Sequence, residues 1–204
     1  MLVGDSIRLG YGKFVELAFD GVAQVVQPKE NCRFSAYHIR YTKPWLDECS
    51  PDRAPDLIHF NAGLWDLLHM VDGKVHTEIP QYAKNLERIV GIYKKLVPES
   101  KLIFALSTPV IDNPNKRLNS EIDEYNAAAR EVMEKHGIEV NDLNALLRDK
   151  PDSIHSDVTH FKTIEGSKLL TERVVEVCGR ALGITGKPLD YYELFDIPKE
   201  ILGE

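Results

Sequence analysis

Short apolar runs of strand length alternate with longer amphipathic stretches along most of the chain. Five runs have the length and composition of strands: 1–3, 22–26, 56–60, 101–106 and 138–140. Helical patterns separate them, and the clearest is 81–97, where apolar residues recur at three- and four-residue spacing. Strands joined by helices run parallel, because each helix returns the chain to the same edge of the sheet. The pattern therefore predicts an α/β fold, a doubly wound parallel sheet of about five strands with helices on both faces.

The size of the chain bounds its organisation. A length of 204 residues, 43% hydrophobic and 28% charged, suits one globular core. We expect a single domain over 1–204, with 183–204 as a C-terminal extension packed on it. The sequence has neither an apolar stretch of transmembrane length nor a leader pattern, which favours a cytoplasmic protein that does not bind membranes. The first strand is short, which is compatible with residues missing upstream of Met1.

Charge and cysteine content exclude several classes of partner. The net charge is −7 and no basic block appears, so we predict no nucleic-acid partner. Three cysteines, Cys32, Cys49 and Cys178, have no paired spacing, which indicates neither a disulfide framework nor a zinc motif. A homo-oligomer is compatible with this composition.

Polar residues follow the predicted strands, and two groups of them suit serine chemistry. Ser6 follows Gly4 and Asp5 at the end of the first strand, where it is either a nucleophile or a helix cap. Asp157 and His160 lie three residues apart near the other end of the chain. A nucleophilic serine needs a base, a carboxylate that orients the base, and donors for the oxyanion. We predict that His160 is the base and that Asp157 orients it.

A metal site is the alternative interpretation of the same C-terminal segment. His155, Asp157 and His160 are residue types that bind zinc. The sequence offers no further cluster of ligating residues beside them. We therefore predict no metal.

The motifs at the two ends together resemble those of the SGNH, or GDSL-type, hydrolase family. Gly4-Asp5-Ser6 stands where that family has its nucleophile, and Asp157-Val158-Thr159-His160 matches its Asp-x-x-His block. The run from Asp56 to Asp66 is similar to the block that follows the family's third strand. The resemblance implies a three-layer α/β/α, flavodoxin-like fold and ester hydrolysis by a Ser-His-Asp triad without a cofactor.

Two departures from the family pattern concern the oxyanion donors. The family's middle block reads Gly-x-Asn-Asp and its asparagine donates to the oxyanion, but Trp65 stands at that position here. Asn61, just past the strand end, is the amide we expect to serve instead, and the indole N–H of Trp65 is the alternative. The family also has a glycine after its second strand, whose N–H is another donor. Residues 31–35 contain no glycine, and Cys32 is the backbone donor we expect.

Three functions are compatible with these residues. The first is a serine esterase that removes a small acyl group, acetyl above all, from a carbohydrate or a similar polar alcohol. The second is an acyltransferase, because the same acyl-enzyme can react with an alcohol instead of water. The third is a catalytically silent binding module that uses the same cleft. The expected partner is in each case a small-molecule or carbohydrate ester.

Overall fold

A computed structural model of the chain describes residues 1–195. Its elements, in chain order, are β1 (Leu2–Val3), α1 (Ser6–Ala18), α2 (Ser35–Cys49), β2 (Leu57–Phe60), α3 (Ile79–Leu96), β3 (Lys101–Ala105), α4 (Asn119–Lys135), β4 (Glu139–Asn141), α5 (Leu143–Leu147), a 3₁₀ turn (Asp152–Ile154), α6 (Ile164–Leu182) and α7 (Tyr191–Leu194).

The four strands form one parallel sheet in the order β1-β2-β3-β4. In this register Val3 pairs with Phe60, Phe60 with Phe104, and Ala105 with Asn141, so the strands end at one edge. The helices fall into two layers by their mutual contacts: α1 packs on α6, and α3 packs on α2 and α4. The predicted α/β fold with a parallel sheet flanked by helices is confirmed.

The core lies on both faces of β2 and β3. All four residues of β2 are buried, and the Phe60 ring contacts those of Phe104 and Tyr93, each with a centroid separation of 5.2 Å. Apolar residues of α3 cover the same face, since Leu86, Ile89 and Val90 are fully buried. Burial on both faces explains why β2 reads as a continuous apolar run in the sequence.

The predicted strand at 22–26 is wrong. The segment is irregular, and the backbone hydrogen bond that joins it to β1 runs from Leu2 N–H to Val26 O at 2.9 Å. It follows a turn at Gly21 (φ +80°), and its first residue, Val22, is 51% exposed. Because β1 has only two residues, it offers too little backbone for a five-residue neighbour to pair with.

The described part of the C-terminal extension, residues 183–195, contacts α1. Lys187 N–H donates to Ala18 O at 2.7 Å, and the Phe14 ring contacts the rings of Tyr191 and Phe195. The rest of the extension, 196–204, lies outside the described residues. No helix within 1–195 is long and apolar enough to cross a bilayer.

Candidate active site

Ser6 is the first residue of α1, in a sharp turn directly after β1. Asp5 caps the helix, because its Oδ1 accepts a hydrogen bond from Ile7 N–H at 2.9 Å. Gly4 permits the close approach of β2, since a Cβ at this position would lie 2.0 Å from Asn61 Oδ1. The turn therefore fixes the Ser6 hydroxyl at the carboxyl edge of the sheet, half-buried.

His160 joins the two ends of the chain at this edge. Its Nε2 lies 2.8 Å from Ser6 Oγ, and its Nδ1 lies 2.8 Å from Asp157 Oδ2. An ionised carboxylate only accepts hydrogen bonds, so Nδ1 carries a proton and donates it to Asp157. Nε2 of the neutral ring is then the acceptor for the Ser6 hydroxyl. These contacts are the ones expected if both motifs lie at the carboxyl edge of the parallel sheet.

The loop that carries Asp157 and His160 is shaped by its own hydrogen bonds. Asp157 Oδ1 accepts from the N–H groups of Thr159 (2.8 Å) and His160 (2.9 Å), and Ser156 N–H donates to His160 O at 2.7 Å. Desolvation raises the pKa of Asp157, but the hydrogen bonds from Thr159 and His160 outweigh it and lower the pKa to about 2. The Asp157 carboxylate is thus ionised at neutral pH.

Cys32 is not available as a backbone oxyanion donor, contrary to the prediction. Its N–H donates to Gly4 O at 3.0 Å, and the residue is fully buried. The Arg8 guanidinium, also fully buried, secures this arrangement by donating to Gly4 O at 3.1 Å and to Glu30 O at 2.6 Å. Burial raises the pKa of the Cys32 thiol to about 11, so it stays neutral.

Asn61 is held at the turn before Ser6 by its backbone and by its side chain. Its backbone N–H donates to Val3 O at 3.0 Å, and its side-chain nitrogen donates to Asp5 Oδ2 at 3.2 Å. Burial raises the pKa of Asp5, while the hydrogen bonds from Ile7 N–H and Asn61 oppose that rise. The hydrogen bond to Asp5 uses one of the two N–H groups of the Asn61 amide, so the role of Asn61 as an oxyanion donor stays a prediction.

Trp65 lies in the rim loop that follows β2 and is partly exposed. Gly63 begins this loop at φ +153°, where a Cβ would come within 2.2 Å of Ser107 Oγ on the neighbouring strand end. Asp66 ends the loop and is fully buried, with Ser35 Oγ donating to it at 2.5 Å. The loop is thus anchored on both sides of Trp65.

Arg117, which was not among the predicted site residues, lies at the same rim. Its Nε donates to Leu64 O at 2.5 Å, directly before Trp65. The residue belongs to the polar loop after β3, and the rule that strand ends meet at one edge was the available signal. The sequence does not show the direction of the Arg117 side chain, which extends from its own loop to the loop that follows β2.

The described residues at this rim form no cluster of metal-ligating side chains. Within residues 1–195, no three or more His, Cys, Asp and Glu side chains cluster closely enough to hold a metal ion. His155 packs its ring on Phe161, with centroids 4.2 Å apart.

Comparisons with known proteins show which family the chain resembles in sequence. The sequence model of the GDSL-like Lipase/Acylhydrolase family matches residues 2–163. The human protein named Isoamyl acetate-hydrolyzing esterase 1 homolog is 32% identical over 150 residues, which is 64% of this chain and 60% of that protein. The chain thus spans about 60% of the length of this curated relative.

Solved structures share the fold at low identity. Axe2, an acetylxylan esterase from Geobacillus stearothermophilus, superposes with a TM-score of 0.66 at 17% identity, covering 87% of this chain and 92% of its own. A GDSL-like lipase from Bacteroides thetaiotaomicron superposes with a TM-score of 0.68 at 15% identity, covering 88% and 87% of the two chains. Because the family model spans most of the chain, including its first and last motifs, the chain belongs to the GDSL-like lipase/acylhydrolase family.

Proposed function

We propose that the chain is a serine esterase that hydrolyses small acyl esters, acetyl esters above all, through Ser6, His160 and Asp157. The observation that carries this proposal is the position of His160, between Ser6 Oγ and the Asp157 carboxylate at 2.8 Å from each. Membership of an acylhydrolase family supports it.

The geometry supports a two-step reaction. His160 Nε2 takes the hydroxyl proton as Ser6 Oγ attacks the ester carbonyl, and Asp157 stabilises the imidazolium that forms. The imidazolium then gives its proton to the departing alcohol, which leaves an acyl group on Ser6. Water, deprotonated by His160, attacks that acyl group, and the acid leaves as Ser6 recovers its proton. No cofactor takes part in either step.

The N-terminus of α1 supplies one donor for the oxyanion. Ser6 N–H lies in the first helical turn, where backbone N–H groups have no partner inside the helix. The partial positive charge of the helix end also favours a negative oxygen at this place. This donor stabilises the tetrahedral intermediate because it is already oriented before the reaction begins.

The names of two relatives support a small acyl group, because they refer to acetyl esters, isoamyl acetate and acetylxylan. The cavities of about 640 and 810 Å³ are lined by neither Ser6 nor His160.

Turnover of p-nitrophenyl acetate tests the proposal. We expect the wild-type chain to release p-nitrophenol with saturation, and Ser6→Ala to lower kcat by at least about 1000-fold while the protein stays folded. Ser107→Ala is the matched control, because Ser107 is a buried rim serine whose hydroxyl has no hydrogen-bond partner among the described residues. Wild-type turnover that does not exceed the uncatalysed rate would instead indicate a binding module, and equal turnover above that rate in wild type and Ser6→Ala would exclude Ser6 as the nucleophile.

A further inference from the structure

The loop from 106 to 118 joins β3 to α4 and contacts the segment that carries two of the candidate catalytic residues. Ile111 N–H donates to Val158 O at 2.9 Å, so this loop is tied to the segment that carries Asp157 and His160. Asn119 fixes the loop internally, because its side chain accepts from Val110 N–H and donates to Val110 O. The loop 106–118 is therefore held against the segment that carries Asp157 and His160.

The Arg117 side chain extends from the loop 106–118 to the loop that follows β2. Its Nε donates to Leu64 O at 2.5 Å, which leaves the four N–H groups of its two Nη atoms for other acceptors. The side chain is partly buried, yet Arg117 forms no ion pair with any acid in the described chain. Burial lowers the pKa of Arg117, while the charge of nearby Asp5 opposes that shift.

An unpaired, partly buried guanidinium is costly unless an anion compensates it. Asp5 gives only partial compensation, since its carboxylate accepts from Ile7 N–H and the Asn61 side chain. The charge of Arg117 also lowers the pKa of Asp5, the residue before Ser6. Leu64, whose carbonyl accepts from Arg117, directly precedes Trp65, at the position where the family has its oxyanion donor.

The same rim is short of oxyanion donors. The N–H of Cys32 donates to Gly4 O, one N–H of the Asn61 amide donates to Asp5, and the N–H of Arg33 donates to Asn31 Oδ1 at 2.8 Å. Trp65 stands where an asparagine would supply a side-chain donor. Of the backbone donors considered, only Ser6 N–H is left without an acceptor.

We propose that Arg117 donates through its Nη groups to the negative oxygen of the tetrahedral intermediate formed at Ser6. The guanidinium neither gains nor loses a proton, and it stabilises the charge that appears on the ester oxygen in the transition state. The inference rests on the proposed esterase activity. It also gives the guanidinium beside Leu64 an anionic partner, the negative oxygen that forms during the reaction.

Kinetics of Arg117 variants with p-nitrophenyl acetate test this assignment. Arg117→Ala should lower kcat by about 100-fold or more with KM nearly unchanged, as expected when one oxyanion donor is removed. Millimolar guanidinium chloride should restore part of that kcat in Arg117→Ala and leave wild type unaffected. Arg130→Gln is the control, since it removes a surface arginine of α4 that pairs with Asp142.

Each other outcome has a definite meaning. A kcat of Arg117→Ala within threefold of wild type would overturn the assignment. So would a loss that guanidinium does not restore and that accompanies a lower Tm, because Arg117 would then only support the loop at Leu64. A loss confined to esters with a carboxylate in the acyl group would also overturn it, in favour of substrate selection. Turnover absent from wild type would overturn the esterase proposal itself, together with this inference.

Discussion

At the scale of single residues, the site depends on the orientation of the His160 ring. Asp157 makes three hydrogen bonds with its own loop, to Thr159 N–H, His160 N–H and His160 Nδ1. The carboxylate therefore fixes both the loop and the tautomer that leaves Nε2 facing Ser6 Oγ.

Asp157→Asn tests this double role. An asparagine Oδ1 can keep both backbone hydrogen bonds, since both go to Oδ1 of Asp157, but its Nδ2 then faces His160 Nδ1 and favours the wrong tautomer of His160. We expect kcat for p-nitrophenyl acetate to fall by about 100- to 10,000-fold, the upper figure applying to a fully buried carboxylate. The Asp157 side chain is 54% exposed, which places the expected loss toward the lower end. Wild-type kcat in Asp157→Asn would contradict a catalytic role for Asp157.

The same residues show how far sequence reasoning reaches. Ser6, Asp157 and His160 belong to short local motifs, and their meeting follows from the rule that parallel strands end at one edge. The prediction for the Cys32 N–H was wrong because its acceptor, Gly4 O, lies in the turn after β1, far from Cys32 in the sequence. Sequence shows that a donor exists but does not show which acceptor already occupies it.

At the scale of elements, α2 begins without a cap of its own. Its N-cap residue, Phe34, has no side-chain oxygen, and the Ser35 N–H donates instead to Asp66 Oδ2 at 2.9 Å. Ser35 Oγ donates to the same carboxylate and accepts from Asn85 Nδ2 of α3 at 2.9 Å. The Asp66 carboxylate thus joins two helices to the rim loop.

Asp66→Ala should destabilise the fold by about 2 to 3 kcal/mol, because it leaves buried donors of Ser35 without an acceptor. Urea unfolding at neutral pH measures the change. Asp47→Ala is the matched control on the same helix, where the exposed pair with Lys43 contributes about 0.5 kcal/mol or less. Equal changes in the two variants would show that Asp66 does not cap α2.

Helices were easier to predict than strands, for a physical reason. Helical periodicity extends over 17 residues in α4 and 19 in α6, so it can be recognised in the sequence without knowing which elements pack beside the helix. The run 22–26 has strand composition, yet a strand exists only where a neighbour can pair with it, and the two-residue β1 cannot. Pairing is a tertiary property that the run itself does not encode.

At the scale of the whole molecule, two histidines are buried in the interior. Burial, together with the charge of Arg8, lowers the pKa of His38 to about 3, and burial lowers that of His59 to about 3. Neither ring nitrogen of His38 has a hydrogen-bond partner among the described residues, and its ring packs edge-on against Trp45. Both histidines are therefore neutral in the folded protein at ordinary pH.

A neutral buried histidine makes stability depend on pH. The unfolded chain binds a proton at His38 below about pH 6.5 and the folded chain does not, so its contribution is lost as pH falls from 6.5 toward 3. His38→Phe keeps an aromatic ring at this position and removes the imidazole that binds the proton. We expect the free energy of unfolding of wild type to fall relative to His38→Phe by about 1.4 kcal/mol per pH unit below 6. Parallel stability curves for the two proteins would contradict a neutral buried His38.

The central claim is that Ser6 is a nucleophile activated by His160, and covalent labelling tests it most directly. Diethyl p-nitrophenyl phosphate transfers a phosphoryl group to an activated serine, with release of p-nitrophenol. We predict one added group per chain by intact mass, located on Ser6 by peptide mapping, with esterase turnover lost in step with labelling. Ser6→Ala should remain unlabelled and His160→Gln should label far more slowly. Labelling of another residue, or full turnover in a protein completely labelled at Ser6, would contradict the claim.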